Sequence, residues 1–485
     1  MAKNNRQEPT VIASIVPIIV LVGLLYVSIT LFGTHSIAGA SQIALILAAA
    51  VAVLISLIFY NGNWSKIESA IVENITASAT AIIILLLIGM LSGTWMVSGV
   101  VPTMILYGLE ILNPKVFLAS ASVICAVVSV MTGSSWTTIA TIGVALMGIG
   151  TAQGFSAGWT AGAIISGAYF GDKLSVLSDT TIMASSTIGV KIFDHIRYML
   201  ITTIPTFTLA LIIFIIAGFT VDVDSTISAD TYSTILSNKF NISPWLLLVP
   251  AITMYMIVKR MPAMITLTLS SVIAIVAMLL AQPQITAEVA EVSLSDLNGW
   301  EMTRAAMMSC YGPTSITTES EAVNALISTR GMEGMLVTIW LILCAMCFGG
   351  VMTGSGMLQR ITSLLHSRVK RTSSVVASTL VGGIFFNMCT ADQFISIILS
   401  GRLFNKLYDE RGLEPRLLSR TIEDSASVTS VLIPWTSCGM AQASVLGVST
   451  WVYFPYCFFN LLSPIVSYTI AALGYKIVKT TKKII

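Results

Sequence analysis

Long apolar runs dominate this chain and determine its predicted structure. A membrane-spanning helix needs about 20 mostly apolar residues. Runs that meet this condition lie at 11–32, 43–60, 75–95, 198–218, 261–280, 335–357 and 451–473. Shorter or interrupted runs lie at 116–131, 137–150, 156–170, 245–258, 373–386, 393–403 and 425–446. The pattern predicts an all-α polytopic membrane protein with about 11 to 13 membrane segments, some of them broken.

Composition supports this assignment and excludes other classes. The 485 residues are 55% hydrophobic and only 10% charged, whereas soluble domains are about 25% charged. The net charge is +2 and the basic residues form short clusters beside apolar runs, so no nucleic-acid binding is expected. The seven cysteines lie mostly inside apolar runs, which predicts neither a disulfide framework nor a bound cofactor.

Basic residues are distributed unevenly between the apolar runs, which predicts an orientation. Cytoplasmic loops of membrane proteins carry an excess of Lys and Arg. Basic clusters lie at 3–6, 173–197, 259–260, 360–371, 402–420 and 476–483. Acid-rich segments lie around Asp222, Asp224 and Asp230, and between Glu288 and Asp296. We therefore expect both termini in the cytoplasm and the acidic segments outside.

An internal repeat is predicted from short matching segments. The segment 172–178 resembles 424–430 at a separation of 252 positions, and Thr138 falls on Thr390 at the same separation. At 257 positions, Gly93, Ser98 and Gly99 fall on Gly350, Ser355 and Gly356. The link 150–158 is uncharged whereas the link 390–424 is basic, which predicts two inverted halves.

The repeat divides the chain into four predicted units. These are an N-terminal membrane span (1–40), a first inverted repeat (41–220), connecting spans with an outward-facing segment (221–334), and a second inverted repeat with a basic cytoplasmic tail (335–485). Transporters often use broken helices from inverted repeats to build one central site. The polar residues that interrupt the apolar runs are therefore the candidate chemistry.

Two polar segments interrupt apolar runs at membrane depth, one in each half. Backbone that breaks a helix there must be buried in protein or line a cavity, because unpaired peptide groups cannot face lipid. Hydroxyl and carbonyl oxygens are the ligands that a small hard cation prefers. The candidate ion- or substrate-binding residues of these segments are Thr132, Ser134, Ser135, Thr137, Thr138, Asn387, Thr390, Asp392 and Gln393. Alternatively, the hydroxyls bond to their own helices or join neighbouring helices.

Carboxylates near the same apolar runs are the second set of candidates. A carboxylate at membrane depth indicates function, and one group can hold either a cation or a proton. Candidates are Asp172, Asp179, Glu423 and Asp424 with nearby Ser175, Ser178, Thr180, Ser427 and Thr429, and Asp172, Asp179 and Asp424 are the Na⁺ candidates. Alternatively, Asp172 pairs with Lys173, and Glu423 pairs with Arg420 on one helix face. No basic partner is predicted for Asp179 or Asp424.

Several motifs resemble one transporter family. The segment 171–181, followed by 194–198, is similar to the signature of the NhaC family of Na⁺/H⁺ antiporters, although Val176 stands where that family more often has proline. Segments 92–95 with 102–105, and 423–425 with 433–435 and 438–439, resemble the same family. The resemblance implies the ion-transporter superfamily fold with paired re-entrant hairpins. It also implies elevator-type movement, a homodimer and a place in the bacterial inner membrane.

The expected function is secondary active exchange of Na⁺ for H⁺, with carboxylates that bind the cation or the proton competitively. The expected partners are Na⁺, H⁺ and membrane lipid. The alternative is a Na⁺/H⁺-coupled exchanger of organic anions of the malate and lactate type, whose cargo would bind helix N-termini. An enzyme is not expected, because Gly171 and Asp172 match only half of an aspartyl protease motif and Tyr169 occupies the position of a required glycine.

Overall fold

The computed structural model is built of α-helices and describes residues 9–32, 38–221, 229–314, 316–366 and 371–477. Within these ranges the only extended pairing is an isolated bridge between Thr314 and Thr329. Nine helices of the described part are long and apolar enough to cross a membrane, and two bent helix pairs raise the number to 11. The prediction of an all-α polytopic membrane protein is confirmed.

The helices fall into an N-terminal set, a connecting set and a C-terminal set. The first set is α1 Val11–Phe32, α2 Ala40–Tyr60, α3 Trp64–Val97, α4 Val100–Ile111, α5 Pro114–Thr132, α6 Ser135–Thr138, α7 Val144–Ala152, α8 Ala157–Leu174, α9 Asp179–Ile188 and α10 Ile192–Thr220. The second is α11 Ala229–Lys239, α12 Leu248–Val258, α13 Ala263–Ala281, α14 Pro283–Val289, α15 Gly299–Tyr311 and α16 Glu321–Ile327. The third is α17 Gly331–Gly354, α18 Met357–His366, α19 Thr372–Thr390, α20 Gln393–Glu410, α21 Pro415–Ile422, α22 Ser437–Leu446, α23 Thr450–Tyr453 and α24 Phe458–Ala472. Two π-helical segments, Ile139–Gly143 and Glu423–Ser427, adjoin α6 and α21.

Capping residues explain where the helices around the two polar segments begin. Ser134 accepts a hydrogen bond from the Thr137 N–H, and Asp392 accepts from the N–H groups of Phe394 and Ile395. Short oxygen-bearing side chains stabilise helix starts in this way because the first N–H groups have no partner inside the helix. The two polar segments are therefore helix breaks that their own sequence specifies.

The two breaks have the same local structure at a separation of 258 positions. α5 ends before Gly133 (φ 66°), and α19 ends before Ala391 (φ 58°). The Thr132 hydroxyl lies 3.1 Å from the Thr138 hydroxyl, as the Thr390 hydroxyl lies 3.0 Å from that of Ser396. Thr138 donates to the Ser134 carbonyl at 2.9 Å, and Ser396 donates to the Asp392 carbonyl at 2.8 Å. These paired contacts show that the two breaks share one local geometry.

The repeat extends beyond the breaks, and it corrects the register. α9 follows the cap Ser178 and ends at Gly189, whereas α22 follows the cap Thr436 and ends at Gly447, again 258 positions apart. The structure also agrees with one pair of the predicted match at 257 positions. Gly99 and Gly356 each follow a helix, and both have a left-handed backbone. The separation of 252 positions is therefore wrong, and neither Asp172 with Asp424 nor Thr138 with Thr390 forms an equivalent pair.

Some predictions on topology stay predictions. The repeated local geometry does not by itself give the orientation of the halves, so their inversion and the four unit boundaries are untested. The ends with Lys3, Arg6 and residues 479–483, and the acidic Asp222 and Asp224, lie outside the described residues. One apolar run differs from its prediction: 451–473 is not a single helix, because it bends by 53° between Tyr456 and Phe458.

The left-handed residues of the two breaks give a matched test of stability. We expect Gly133→Ala to lower the thermal stability of the detergent-purified protein, because a left-handed backbone costs a residue with a Cβ about 1–2 kcal/mol. The added Cβ would also lie 2.6 Å from Leu177 Cβ. Ala391→Gly should instead be neutral or stabilising. Apparent unfolding temperatures that moved in the opposite directions would contradict the structure of the breaks.

Candidate functional site

The two helix breaks meet at one cavity of about 560 Å³. Polar residues from both halves line it: Ser134, Asp172, Asp179, Thr180, Asp392, Gln393 and Ser437. α3 contributes one wall through Ala77, Ser78, Thr80, Ala81 and Ile84, and Trp136 and Phe394 contribute aromatic surface. None of the described residues that line the cavity is basic. The cavity therefore combines three carboxyl groups with hydroxyl and amide oxygens.

Asp172 is anchored to the first break. It is 9% exposed, and its Oδ2 accepts hydrogen bonds from the Ser135 backbone N–H at 3.2 Å and from the Ser135 hydroxyl at 2.7 Å. Two donors to one oxygen favour the ionised carboxylate. The contact recurs in the second half, where the Ser430 hydroxyl donates to Gln393 Oε1 at 3.2 Å. There a neutral amide and a hydroxyl replace the carboxylate and the Ser135 hydroxyl of the first half.

Asp392 occupies the N-terminus of α20. Its Oδ1 accepts from the Phe394 N–H at 2.9 Å and the Ile395 N–H at 3.1 Å, and its Oδ2 accepts from the Ser437 hydroxyl at 3.1 Å. A negative charge at a helix N-terminus is stabilised by the free N–H groups and the helix dipole. Asp392 can therefore remain ionised although only 2% of it is exposed.

Aspartate and serine exchange places between the two halves. Ser134 and Asp179 of the first half stand 258 positions before Asp392 and Ser437 of the second, and all four residues line the cavity. Each half therefore contributes one carboxyl group and one hydroxyl at these positions. Asp179 is exposed in the described structure and lies at the lining of the cavity. A cation in the cavity would meet acidic oxygens on both sides.

Glu423 and Asp424 lie outside this cavity. Both are fully buried, and Asp424 forms an ion pair with Lys173. It also accepts from the Thr202 hydroxyl at 3.1 Å and lies 3.8 Å from Arg420 Nε. The prediction that Asp424 lacks a basic partner is therefore wrong. The chain folds Lys173, a distant residue in sequence, against it.

The two predicted local ion pairs also differ from the structure. Lys173 binds Asp424, while the neighbouring Asp172 points to Ser135, because consecutive helix residues face different directions. Neither oxygen of Glu423 has a hydrogen-bond partner. Sequence proximity gave no sign of Lys173, whereas Arg420, four residues before Asp424, is a local partner of that residue and not of Glu423.

The remaining candidates support the framework of the site. Thr132, Thr137, Thr138 and Thr390 bond within the breaks. Ser178 caps α9, and Ser175 accepts from the Leu177 N–H at 3.2 Å. Asn387 donates to the Ala426 carbonyl at 2.7 Å and to Thr429 at 3.3 Å, and Ser427 is buried near Glu423. Of the hydroxyls predicted as ligands, only Ser134 and Thr180 line the cavity, and most of the others follow the alternative of bonding to nearby backbone.

Sequence reasoning missed three contributors. Ser437 lines the cavity, and its signal was the 258-position relation to Asp179. Lys173 was considered only as a partner of Asp172. The wall formed by α3 has no polar motif and required the folded structure.

Comparison with known proteins identifies relatives over most of the chain. The profile of the Na⁺/H⁺ antiporter family matches residues 167–475. The Na⁺/H⁺ antiporter NhaC of Alkalihalophilus pseudofirmus is 35% identical over 85% of this chain and 86% of its own length. The malate-2H⁺/Na⁺-lactate antiporter of Bacillus subtilis is 33% identical over 87% of both chains. The arginine/ornithine antiporter ArcD of Halobacterium salinarum is 33% identical over 98% of this chain and 94% of its own length.

Proposed function

The chain belongs to the Na⁺/H⁺ antiporter family, and from this premise we propose that it exchanges Na⁺ for H⁺ across a bacterial membrane. The observation that carries the proposal is the acidic cavity between the two helix breaks. Its lining contains Asp172, Asp179 and Asp392, and no basic residue among those described. Carboxylate, hydroxyl and amide oxygens are suitable ligands for a small hard cation.

The geometry supports Asp172 as the central Na⁺ ligand. It is largely buried and bonded to the first break through Ser135, while Asp392 and Gln393 face the same cavity from the second break. A Na⁺ between the breaks would join oxygens from both halves. Its release would leave like charges facing each other, so binding of the cation and the position of the two breaks are coupled.

The charge of the cavity favours a cation over an organic anion. A carboxylate substrate requires Arg, Lys or free helix N–H groups for pairing. At the second break, the first N–H groups of α20 are already bonded to Asp392. An anion such as malate would face three aspartates, so exchange of organic anions, the activity that the name of one relative states, is the less favoured alternative.

Other features of the proposal rest on the resemblance to the family and, for the orientation, on the distribution of basic residues. We propose a multi-pass protein of the inner membrane, with both termini in the cytoplasm, surrounded by lipid, and a homodimer that moves its transport unit by an elevator-type mechanism. All the relatives compared carry names of antiporters, and we propose no enzymatic activity and no resident cofactor.

Transport in everted membrane vesicles tests the proposed cargo. Vesicles from a host without its own Na⁺/H⁺ antiporters are acidified inside by respiration, and the pH gradient is followed with a fluorescent dye. We expect NaCl to dissipate the gradient, and sodium-free malate or lactate to leave it unchanged, because the cavity lacks a basic group for an anion. Dissipation by malate or lactate and not by NaCl would contradict the proposal and favour the alternative cargo.

A further inference from the structure

A second cluster of charged residues lies beside the cavity and is buried in the described structure. Lys173 at the end of α8 pairs with Asp424, and Arg420 approaches the same carboxylate from one turn before it. All three side chains are at most 1% exposed. Buried charges are tolerated only when other charges compensate them. This group, Lys173, Arg420, Asp424 and the adjacent Glu423, is called the lysine cluster below.

Glu423 is the member of the lysine cluster with neither a hydrogen bond nor an ion pair in the described structure, whereas Arg420, whose nitrogens also lack hydrogen bonds, lies 3.8 Å from Asp424. Glu423 is 0% exposed, and neither carboxyl oxygen has a hydrogen-bond partner. Ser427 lies close to it, and Lys173, Asp172 and Asp424 are near enough to act on its charge. An ionised carboxylate without hydrogen bonds is costly to bury. Glu423 is also the first residue of a π-helical segment, and such segments are frequent at functional sites.

The other titratable groups near Glu423 do not supply a compensating charge. The His195 ring on α10 bonds to the Ser419 hydroxyl at 2.8 Å, while its Nε2 has no partner. A protonated ring would bury an Nε2–H group without a partner and would place its positive charge beside those of Lys173 and Arg420. The ring is therefore neutral. The phenol of Tyr408 on α20 bonds to Thr379, and Tyr198 stacks against Arg420 with the guanidinium carbon 4.7 Å from the ring centre. Both phenols are uncharged at neutral pH.

The charges of the lysine cluster and Asp172 balance in two states. With an empty cavity, Lys173 and Arg420 are balanced by Asp424 and Asp172, provided that Glu423 is protonated. With Na⁺ on Asp172, one positive charge is added, and the balance is restored when Glu423 loses its proton. Asp392 does not change this count, because its charge is stabilised locally by the α20 N-terminus. Near-neutral buried clusters are favoured in low dielectric.

The end of α8 connects the cavity to the lysine cluster. Asp172 and Lys173 are consecutive residues, and the first bonds to Ser135 at the cavity while the second binds Asp424. A cation that neutralises Asp172 therefore changes the field at Glu423 without touching it. In the step considered, Na⁺ binds Asp172, the O–H bond of Glu423 breaks, and the proton passes to water.

We propose that Glu423 carries the exchanged proton from a position outside the Na⁺ cavity, so that the two ions are coupled by charge and do not compete for one carboxylate. This inference rests on the proposed function, because it takes Asp172 as the Na⁺ ligand. It differs from direct competition at Asp172, in which removal of Glu423 would leave the exchange of one ion for the other intact.

Proton release on Na⁺ binding tests the inference in the purified full-length protein. The number of protons released is measured with a pH dye in weakly buffered detergent solution, and Na⁺ binding is measured with ²²Na⁺. We expect the wild-type protein to release about one proton per bound Na⁺, with Na⁺ affinity changing about tenfold per pH unit where that proton is exchanged. E423Q should release none, and its weaker Na⁺ affinity should not change with pH. E423D should restore both responses.

The controls separate this inference from the proposed function. E110Q removes an exposed carboxylate of α4 and should behave as the wild type. E423Q that released as many protons as the wild type would overturn the inference. Normal Na⁺ binding by D172N would instead overturn the proposed cation site, whatever the result for E423Q.

Infrared difference spectra keep the inference testable if E423Q does not fold. Addition of Na⁺ to the wild-type protein should remove a C=O stretching band of a protonated carboxylic acid, and this band should shift in E423D. Absence of such a band, or a band unchanged in E423D, would overturn the assignment of the proton to Glu423.

Discussion

Asp172→Asn is expected to abolish Na⁺-driven proton exchange in everted vesicles. The reduction should be on the order of 100-fold or more in rate at a fixed Na⁺ concentration, because even outer-shell partners of metal ligands contribute about 10- to 100-fold. The amide keeps the shape of the side chain and removes its negative charge. Ser135 can still donate to the amide oxygen. We therefore expect the substitution to weaken ion binding without disturbing the fold.

A matched substitution elsewhere controls for general effects of Asp→Asn. Asp296 is exposed and bonds to the Ser293 hydroxyl at 2.6 Å, outside the cavity. D296N should keep the exchange rate of the wild type at equal protein levels in the membrane. Full Na⁺-driven exchange by D172N would show that this carboxylate does not bind the transported cation.

Lys173→Met is expected to destabilise the protein strongly. Removing one partner of a buried ion pair costs about 3–5 kcal/mol, since the other charge is left uncompensated. Asp424 is fully buried and would keep only Thr202, Ser463 and the more distant Arg420. The apparent unfolding temperature in detergent should therefore fall well below that of the wild type.

The double variant K173M/D424N should recover most of that loss, because it removes both charges together. The matched control is K406M, whose side chain is 86% exposed and 3.8 Å from Glu410. Exposed pairs contribute little, so K406M should unfold close to the wild type. A K173M protein as stable as the wild type would show that the buried pair is not formed in solution.

Much of the fold was predictable because membrane helices have a simple sequence signal. The apolar runs and the two polar interruptions correspond to helices and helix breaks, since lipid permits no other spanning backbone in a helical protein. The register of the repeat was not predictable from residue identity. Gly133 in one break corresponds to Ala391 in the other, and both adopt the left-handed backbone that normally identifies glycine.

The candidate site was predictable in part, for a physical reason. Asp172, Asp179 and Asp392 were selected because carboxylates at membrane depth are rare, and the structure brings all three to one cavity. The pairing of Asp424 with Lys173 was missed because Lys173 is far away in sequence, and long-range pairing has no local signal. Arg420, four residues before Asp424, was considered only as a partner of Glu423. The isolation of Glu423 was therefore visible only after folding had placed Lys173 and Arg420 against Asp424.

Direct binding of ²²Na⁺ to the purified protein tests most directly whether the two halves form one cation site. The wild type should bind at a saturable site, and Asp172→Asn and Asp392→Asn, one from each half, should each weaken binding, whereas D296N should not. Normal binding by both cavity variants would contradict the account, because the carboxylates brought together by the two helix breaks would then play no part in holding the ion.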